Sequence, residues 1–326
     1  MMNELIMMHE TFMGSVSMLS KINWFCVSLM CAFVTLCSQA WADDFELKQI
    51  ADGIYVHHGK HLDIDDGYQG DICNLSVVVG RDAIAVIDSG GSKHTGEQLL
   101  QAIKTISPLP IRYVINTHVH PDHTYGNAAF QNGTTHFIGH DKLANTMLLR
   151  KEQYEKLNAR LLGEAGKAST TVTPDTAVHD QLTLDLGGRT LQLQAQTVAH
   201  THTDLTVLDS KTNTLFTGDL LFAQRTPVVE GDIKGLITTL ERMNQSHYAL
   251  IVPGHGLESA DQPTIIGNEL RYLNLLLADV RNSIKKGISM EQTMDSAAAS
   301  EHDKWQLFDI ANRRNVNVIY PQLEWE

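Results

Sequence analysis

The distribution of apolar positions predicts short strands separated by helices. Alternating or continuous apolar runs bounded by Gly, Pro, Asn or Asp are typical of strands. On this criterion strands are predicted at 53–59, 73–80, 83–88, 111–115, 135–138, 181–186, 190–198, 205–209 and 214–216. A tight turn at 80–82 joins the second strand to the third, so the first sheet is expected to begin antiparallel.

Apolar residues at helical spacing predict four helices, and a further helical segment closes the chain. The first helix lies between Ser92, a suitable N-cap, and Pro108, which ends it. The next three are predicted at 142–162, 234–245 and 267–286. The tail from Met290 is expected to be polar and helical until Arg314.

The order of strands and helices indicates the fold class. Strands followed by helices occur in both halves of the chain, which predicts two sheets packed together with helices outside. The expected architecture is an α+β or α/β four-layer αββα sandwich. Residues 163–175, rich in Gly, Ser and Thr, are a linker candidate or only a loop.

The N-terminus has the pattern of an export signal. Lys21 precedes an apolar run at 22–37, and Ala40-Trp41-Ala42 forms a small-residue cleavage site. We therefore predict a signal peptide at 1–42 and a periplasmic mature protein with no stable membrane association. A retained membrane anchor is the alternative.

Composition and charge limit the classes of function that the protein can have. The chain has 326 residues, 43% of them hydrophobic, and four cysteines, of which only Cys73 lies after residue 42. The mature protein therefore has no internal disulfide, and its core must stabilise it. The formal net charge of the full chain, −13, argues against binding nucleic acid or an anionic membrane surface.

The densest group of possible metal ligands lies at residues 117–123, Thr-His-Val-His-Pro-Asp-His, directly after the predicted strand at 111–115. His118 and His120 are two apart on extended backbone and point the same way, whereas Asp122 and His123 can turn to a second position. Imidazole and carboxylate together suit zinc. The segment therefore predicts metal binding, with two metals favoured over a polar loop of fortuitous histidines.

Three later segments that follow apolar runs offer further ligands. They are Ala199-His200-Thr201-His202, Thr217-Gly218-Asp219 and Pro253-Gly254-His255-Gly256. Open α/β sheets build their sites at strand ends. In contrast, the acidic 60–70 segment lacks the spacing and terminal Glu of a calcium loop, so a solvated flap is expected there.

The set His-x-His-x-Asp-His, a later His, Gly-Asp and Pro-Gly-His resembles the metallo-β-lactamase fold superfamily over roughly residues 50–258. His200 is preferred to His202 because His-Thr-x-x-Asp-Leu matches the third motif of that superfamily. The resemblance implies that Asp88 supports the metal loop without binding metal. It also implies two zinc ions, one on His118, His120 and His200, the other on Asp122, His123 and His255, with Asp219 bridging.

Gly218-Asp219 is unlike the true zinc β-lactamases, whose site lacks a bridging aspartate, and resembles the hydrolases related to glyoxalase II. Short motifs at 139–143, 185–189 and 218–222, and the C-terminal Arg-Asn-Val and Leu-Glu-Trp-Glu, are similar to exported quinoprotein relay system zinc metallohydrolases. That similarity implies a functional link to a PQQ-dependent dehydrogenase. The expected division is then a signal peptide at 1–42, a hydrolase core at 43–258 and a helical extension packed on it at 259–326.

The implied reaction is hydrolysis of an ester, thioester or related small acyl substrate by a hydroxide that two zinc ions share. Asp122 is the candidate for orienting that hydroxide, and His202 and His140 are candidates for substrate contact or proton donation. Three alternatives stay open at this stage. They are a β-lactam hydrolase, a mononuclear iron persulfide dioxygenase and a non-catalytic metal-binding accessory protein.

Overall fold

A computed structural model describes residues 45–64 and 67–326, and the predicted signal peptide at 1–42 lies outside them. The described strands form two sheets. The strands are β1 (Lys48–Ala51), β2 (Ile54–His57), β3 (Leu75–Val79), β4 (Ile84–Ile87), β5 (Ile111–Ile115), β6 (His136–His140), β7 (Thr176–Val178), β8 (Gln181–Asp185), β9 (Thr190–Ala195), β10 (Leu205–Asp209), β11 (Thr214–Phe222) and β12 (Leu250–His255).

The first sheet has seven strands in the order β1 to β7. Its first four strands pair antiparallel, and β4 to β7 pair parallel. The second sheet has the order β12-β11-β10-β9-β8, with only the β11–β12 pair parallel. The expected antiparallel start is confirmed, and β4 and β5, which the helix Lys93–Ile106 connects before the metal-binding segment, pair parallel.

Helices cover the sheets. They are α1 (Lys93–Ile106), α2 (Pro121–Thr124), α3 (Leu143–Leu162), α4 (Glu164–Lys167), α5 (Ile233–Asn244), α6 (Gln262–Lys285), α7 (Met290–Met294) and α8 (Phe308–Leu323), with 3₁₀ turns at Tyr125–Phe130 and Ala299–Lys304. As predicted, the Ser92 side chain caps α1 by accepting from the backbone N–H of Thr95. No helix within the described ranges is both long and apolar enough to cross a membrane.

Two large apolar clusters define the layers. One lies between the sheets and joins residues such as Ile87 and Ile115 of the first to Val207 and Phe216 of the second. The other packs α5, α6 and α8 against the second sheet. Burial of these side chains supplies the main favourable free energy of folding. The arrangement is the expected four-layer αββα sandwich.

A buried ion pair ties the two sheets together. The Arg189 guanidinium, only 3% exposed, donates to both carboxylate oxygens of Asp209 at 2.8 and 3.0 Å. Its remaining amino group donates to the backbone oxygens of Asp52 and Val79 at 2.8 and 3.1 Å. Because a buried charge is tolerated only with such partners, this arginine fixes the edge of one sheet against the other.

Three expectations need correction, and one open alternative is decided. The C-terminal tail is not a polar helix that ends at Arg314, because α8 continues to Leu323 and buries Val316 and Ile319. Helix α6 starts before Gly267, at Gln262, because Asp261 caps it. The short strands β1 and β7 were not predicted. Of the two alternatives stated for residues 163–175, the structure has the loop, which contains the short helix α4, because Glu46 to Glu326 form one compact unit.

The described residues of the 60–70 segment, 60–64 and 67–70, are anchored, whereas a solvated flap was predicted. Asp63 is 2% exposed, and its carboxylate accepts from the Arg314 guanidinium of α8 at 2.6 and 3.0 Å. Tyr68 is also buried. The C-terminal helix therefore fixes this segment beside the strand ends.

Candidate metal centre

The predicted ligands converge although they come from four separate segments. The 118–123 segment follows β5, His200 follows β9, Asp219 lies inside β11 and His255 ends β12. His118, His120, His200 and Asp219 form one group whose ligand atoms lie within 4.8 Å of one another, and His123, Asp219 and His255 form another. Asp219 belongs to both groups.

We call His118, His120 and His200 the first ligand set. His120 Nδ1 lies 3.0 Å from His118 Nε2 and 3.1 Å from His200 Nε2. Asp219 Oδ2 lies 3.7 Å from His118 Nε2 and 3.4 Å from His200 Nε2. Three ring nitrogens and one carboxylate oxygen thus surround a single point, as a tetrahedral zinc site requires.

We call Asp122, His123 and His255 the second ligand set. Asp122 Oδ2 lies 3.5 Å from the Nε2 atoms of both His123 and His255. Asp219 Oδ1 lies 3.2 Å from His123 Nε2, and its Oδ2 lies 3.3 Å from His255 Nε2. The Asp219 carboxylate therefore stands between the two sets.

Outer hydrogen bonds fix the tautomer of the histidines. An oxygen of a carbonyl or carboxylate can only accept, so the ring nitrogen facing it must carry the proton. The outer nitrogens contact Val228 O for His200, Ile72 O for His255, Glu230 for His120 and Asp88 for His123, all at 2.5–2.7 Å. Each of these four rings therefore turns an unprotonated nitrogen inward, as metal ligation requires.

His118 has a threonine as its outer partner. The Thr117 hydroxyl donates its only proton to Asp88 Oδ2 at 2.7 Å, so it accepts from His118 Nδ1 at 3.0 Å. Asp88 Oδ1 accepts the backbone N–H of Thr117 at 2.8 Å. Together with its bond to His123, Asp88 thus supports both ligand sets without belonging to either, as the resemblance implied.

The surroundings of two buried atoms indicate whether a cation fits between the ligands. His123 Nε2 and Asp219 Oδ1 are 3.2 Å apart, and neither has a hydrogen-bond partner. With the His123 proton committed to Asp88, two lone pairs face each other, an arrangement that a cation or an added proton must relieve. Burial alone would lower the pKa of His123, but the nearby carboxylates, Asp219 foremost, raise it well above its usual value. The donor set fits a metal.

Two histidines are kept neutral by burial. Burial is the largest cause lowering the pKa of His200 to about 4, and it also holds the pKa of His118 well below its usual value. Neutral imidazole is the form that binds metal. His118 and His200 are therefore prepared for a cation at neutral pH, whereas for His120 the effect of burial is outweighed by the Glu230 carboxylate, which raises the pKa of that ring.

Glycines allow the strands to approach around Asp219. A Cβ on Gly254 would lie 2.0 Å from Asp219 Oδ1, and one on Gly218 would lie 2.5 Å from Thr117 Oγ1. Gly218 also has φ +52°, which favours glycine. The Gly-Asp and Pro-Gly-His patterns are therefore packing requirements of this centre.

Solvent reaches the centre from one side. The side chains of His120 and Asp122 are 15% and 13% exposed, and that of Glu230 is 35% exposed, whereas His123 is inaccessible. A substrate therefore approaches past Glu230 and Asp122. Phe222 is buried, and its ring stacks on that of His255 at 5.2 Å between centroids and 4° between planes.

Sequence reasoning missed several supporting residues. Glu230, 110 positions from His120, accepts from its ring and from Arg150 Nη1, each at 2.5 Å. Arg150 also donates to the Tyr154 hydroxyl at 2.6 Å. No local pattern marks Glu230, because its role depends on contact between distant segments.

The two other predicted catalytic histidines lie apart from the cluster. His140 is buried at the end of β6, where its ring nitrogen lies 2.7 Å from Asp141 and 3.1 Å from the backbone nitrogen of Lys142. His202 is exposed in the turn after His200. Neither makes a hydrogen bond or ring contact with the ligand sets in the described parts of the chain.

Three more histidines, His57, His58 and His61, lie in or just before the 60–70 segment. His57 and His58 pair with Asp71 and Glu258, at 2.7 and 2.5 Å. His61 lies near Arg225 and His255, whose charges add to burial in lowering its pKa. Of the three, His61 is the one placed beside the second ligand set.

The fold and the cluster define an αββα protein of hydrolase type with a candidate metal centre. A sequence model of the metallo-beta-lactamase superfamily matches residues 68–255, and the chain belongs to that superfamily. A comparison with curated proteins gives no match.

Solved structures agree with this assignment. A metallo-beta-lactamase from Pontibacter korlensis is 23% identical, with a TM-score of 0.57 over 70% of this chain and 98% of that chain. The inverting sec-alkylsulfatase Pisa1 from Pseudomonas sp. is 16% identical, with a TM-score of 0.64 over 85% of this chain and 50% of that chain. TMB-1 is 16% identical, with a TM-score of 0.55 over 70% and 96%. At these identities the likeness concerns the fold alone.

Proposed function

We propose that the protein is an exported zinc hydrolase that binds two zinc ions and cleaves an ester, thioester or related acyl substrate. The observation that carries the proposal is the arrangement of five inward ring nitrogens, each with an outer hydrogen-bond partner, around Asp219. The first ligand set would hold one zinc and the second ligand set the other. The carboxylate of Asp219 would contact both.

The chain supplies positioning and proton handling. When bound, zinc lowers the pKa of water and polarises a substrate carbonyl. Asp122 is the cluster carboxylate on the solvent side, so it can accept a hydrogen bond from an attacking water and orient it. Cys73 is unsuited as a nucleophile, because burial raises the pKa of its thiol well above its usual value and the thiol donates to Asp122 O.

Substrate preference can be tested with a panel of acyl compounds. We expect kcat/KM for thioesters or aryl esters to exceed that for β-lactams, because the Asp219 carboxylate between the ligand sets gives a glyoxalase-like centre. Each tenfold preference corresponds to about 1.4 kcal/mol of transition-state discrimination. Alkyl sulfates belong in the panel because Pisa1 is a sulfatase.

Each contrary outcome identifies a different function. Efficient cephalosporin or carbapenem turnover without ester cleavage would overturn the acyl-substrate proposal in favour of a β-lactamase. Turnover confined to sulfate esters would transfer the proposal to that class. A purified protein holding one iron per chain would favour the persulfide dioxygenase, and a zinc-loaded protein inert on every compound would favour an accessory role.

Export and the link to a PQQ-dependent dehydrogenase are also part of the proposal. Lys21, the apolar run at 22–37 and Ala40-Trp41-Ala42 support export. Mass spectrometry of the protein purified from its host should find an N-terminus at Asp43 or a near neighbour. Recovery of the intact 1–42 segment in the membrane fraction would instead indicate an anchor.

A further inference from the structure

One loop, residues 227–231, contacts two of the three histidines of the first ligand set. Val228 O accepts from His200 Nδ1 at 2.7 Å, and the Glu230 carboxylate accepts from His120 Nε2 at 2.5 Å. The backbone N–H of Gly231 donates to His200 O at 2.7 Å. The position of this loop therefore sets the orientation of both rings.

The C-terminal helix α8 fixes the same loop through one side chain. Asn315 Oδ1 accepts from the backbone N–H of Val229 at 2.9 Å, and Asn315 Nδ2 donates to Pro227 O at 2.7 Å. These two bonds lie on either side of Val228. Asn315 and Val229 are 0% and 1% exposed, so water does not replace either bond.

The asparagine supplies one donor and one acceptor that an apolar side chain cannot provide. Loss of this amide would leave the Val229 N–H buried without a partner, which is destabilising unless the loop moves. Movement of the loop would shift Val228 O away from the His200 ring. Outer hydrogen bonds of this kind commonly control metal affinity by roughly 10- to 100-fold.

We propose that Asn315 is a positioning residue for the first ligand set, acting through the 227–231 loop on His120 and His200. It lies on α8, outside the 68–255 segment that the superfamily model matches. The C-terminal extension is thereby part of the metal centre. This inference rests on the proposed zinc binding and adds a residue that tunes it.

The effect is selective for one set. The second ligand set has its outer partners elsewhere, since His123 donates to Asp88 and His255 to Ile72 O. The 227–231 loop contributes neither partner. Loss of Asn315 should therefore weaken zinc binding at the first ligand set and leave the second close to its original affinity.

Helix α8 offers a matched control one turn earlier. Asn312 is also buried and, like Asn315, bonds to the Tyr272 hydroxyl, at 3.0 and 2.8 Å respectively. Its amide donates to Ala297 O at 2.9 Å and not to the 227–231 loop. Asn312→Ala thus removes a buried amide from the same helix without touching the loop.

The experiment measures zinc affinity by competition with a chelating indicator in two parental full-length proteins. His255→Ala retains the first ligand set, and His118→Ala retains the second. In the His255→Ala protein, Asn315→Ala should weaken zinc binding about 10- to 100-fold, whereas Asn312→Ala should change it less than about threefold. In the His118→Ala protein both variants should stay within about threefold, because outer partners act on their own ligands.

Equal losses from Asn312→Ala and Asn315→Ala, or equal losses in both parental proteins, would overturn the proposal. If Asn315→Ala does not fold, Asn315→Ser keeps a small hydrogen-bonding group without burying a charge and should weaken zinc binding in the first set alone. The readout is zinc affinity, so failure of ester turnover does not affect it. Parental proteins that bind no zinc would refute the metal centre and this inference together.

Discussion

Replacing Asp219 by Ala should lower both zinc occupancy and kcat/KM more than about tenfold, since even residues behind the ligands often contribute 10- to 100-fold. The carboxylate lies 3.2–3.7 Å from four of the five inward ring nitrogens, those of His118, His123, His200 and His255. Its removal leaves their lone pairs without the negative charge that two cations require. Elemental analysis after dialysis and steady-state kinetics measure the two losses.

The Asp219→Asn variant removes the negative charge but keeps one possible ligand oxygen, so it distinguishes the effect of the charge from that of the ligand atom. Asn keeps one carbonyl oxygen and should retain zinc in one ligand set while losing it from the other. Burial opposes ionisation of Asp219, but His255 and His123 outweigh it and hold the pKa of that carboxyl well below its usual value. Wild-type zinc content and rate in Asp219→Ala would show that Asp219 does not connect the sets.

The ligand positions were predictable because the pattern that marks them is local. Four of the ligands lie within six consecutive positions after an apolar strand, namely His118, His120, Asp122 and His123. The later ligands also follow or end apolar runs. Strand ends meet at one edge of a sheet. Proximity of the ligands therefore follows from the strand assignments alone.

The outer partners were not predictable because each depends on contact between distant segments. Glu230 is 110 positions from His120, and the Ile72 carbonyl is 183 positions from His255. Two of these partners are backbone carbonyls, which every residue carries. Nothing in residue type distinguishes such positions along the chain.

Buried amides explain the error at the C-terminal tail. Asn312 and Asn315 lie on the buried face of α8, so a polarity pattern places them on the solvent side. Their hydrogen bonds to Tyr272, Ala297 O and Pro227 O satisfy them inside the protein. A buried polar group with partners is stable, but the partners are invisible to a pattern of hydrophobicity.

The error at the 60–70 segment has a similar origin. In the sequence Asp63 has the appearance of a solvated charge. In the structure its side chain is 2% exposed and pairs with Arg314, 251 positions away.

The missed strands have another cause. Lys48–Ala51 is an edge strand with exposed lysine and glutamine, and Thr176–Val178 has three residues, too few to establish an alternating pattern.

The Asp88→Asn variant should weaken zinc binding most at the second ligand set, whose His123 ring donates directly to Asp88, and less at the first, which Asp88 reaches only through the Thr117 hydroxyl. Asp88 Oδ2 accepts from His123 Nδ1 and Oδ1 accepts from Thr117 N–H. In either orientation of the asparagine side chain, the NH2 group of its amide faces one of these two donors, so two donors meet without an acceptor. If the NH2 group of the amide faces His123, the Nδ1 atom of that ring must accept, so the ring carries its proton on Nε2. Nε2 is the inward atom, and once protonated it cannot bind a metal.

We expect zinc affinity at the second ligand set to fall about 100-fold, the upper end for an outer partner, and zinc content to fall from about two equivalents to about one. The matched control is Asp204→Asn, a second buried aspartate beside the cluster that accepts from Thr201 and not from a histidine of either set. Burial raises the pKa of Asp204 to about 7, so an amide resembles the neutral form that it already populates near neutral pH. Two zinc equivalents retained in Asp88→Asn, or equal losses in both variants, would show that the His123 tautomer does not depend on Asp88.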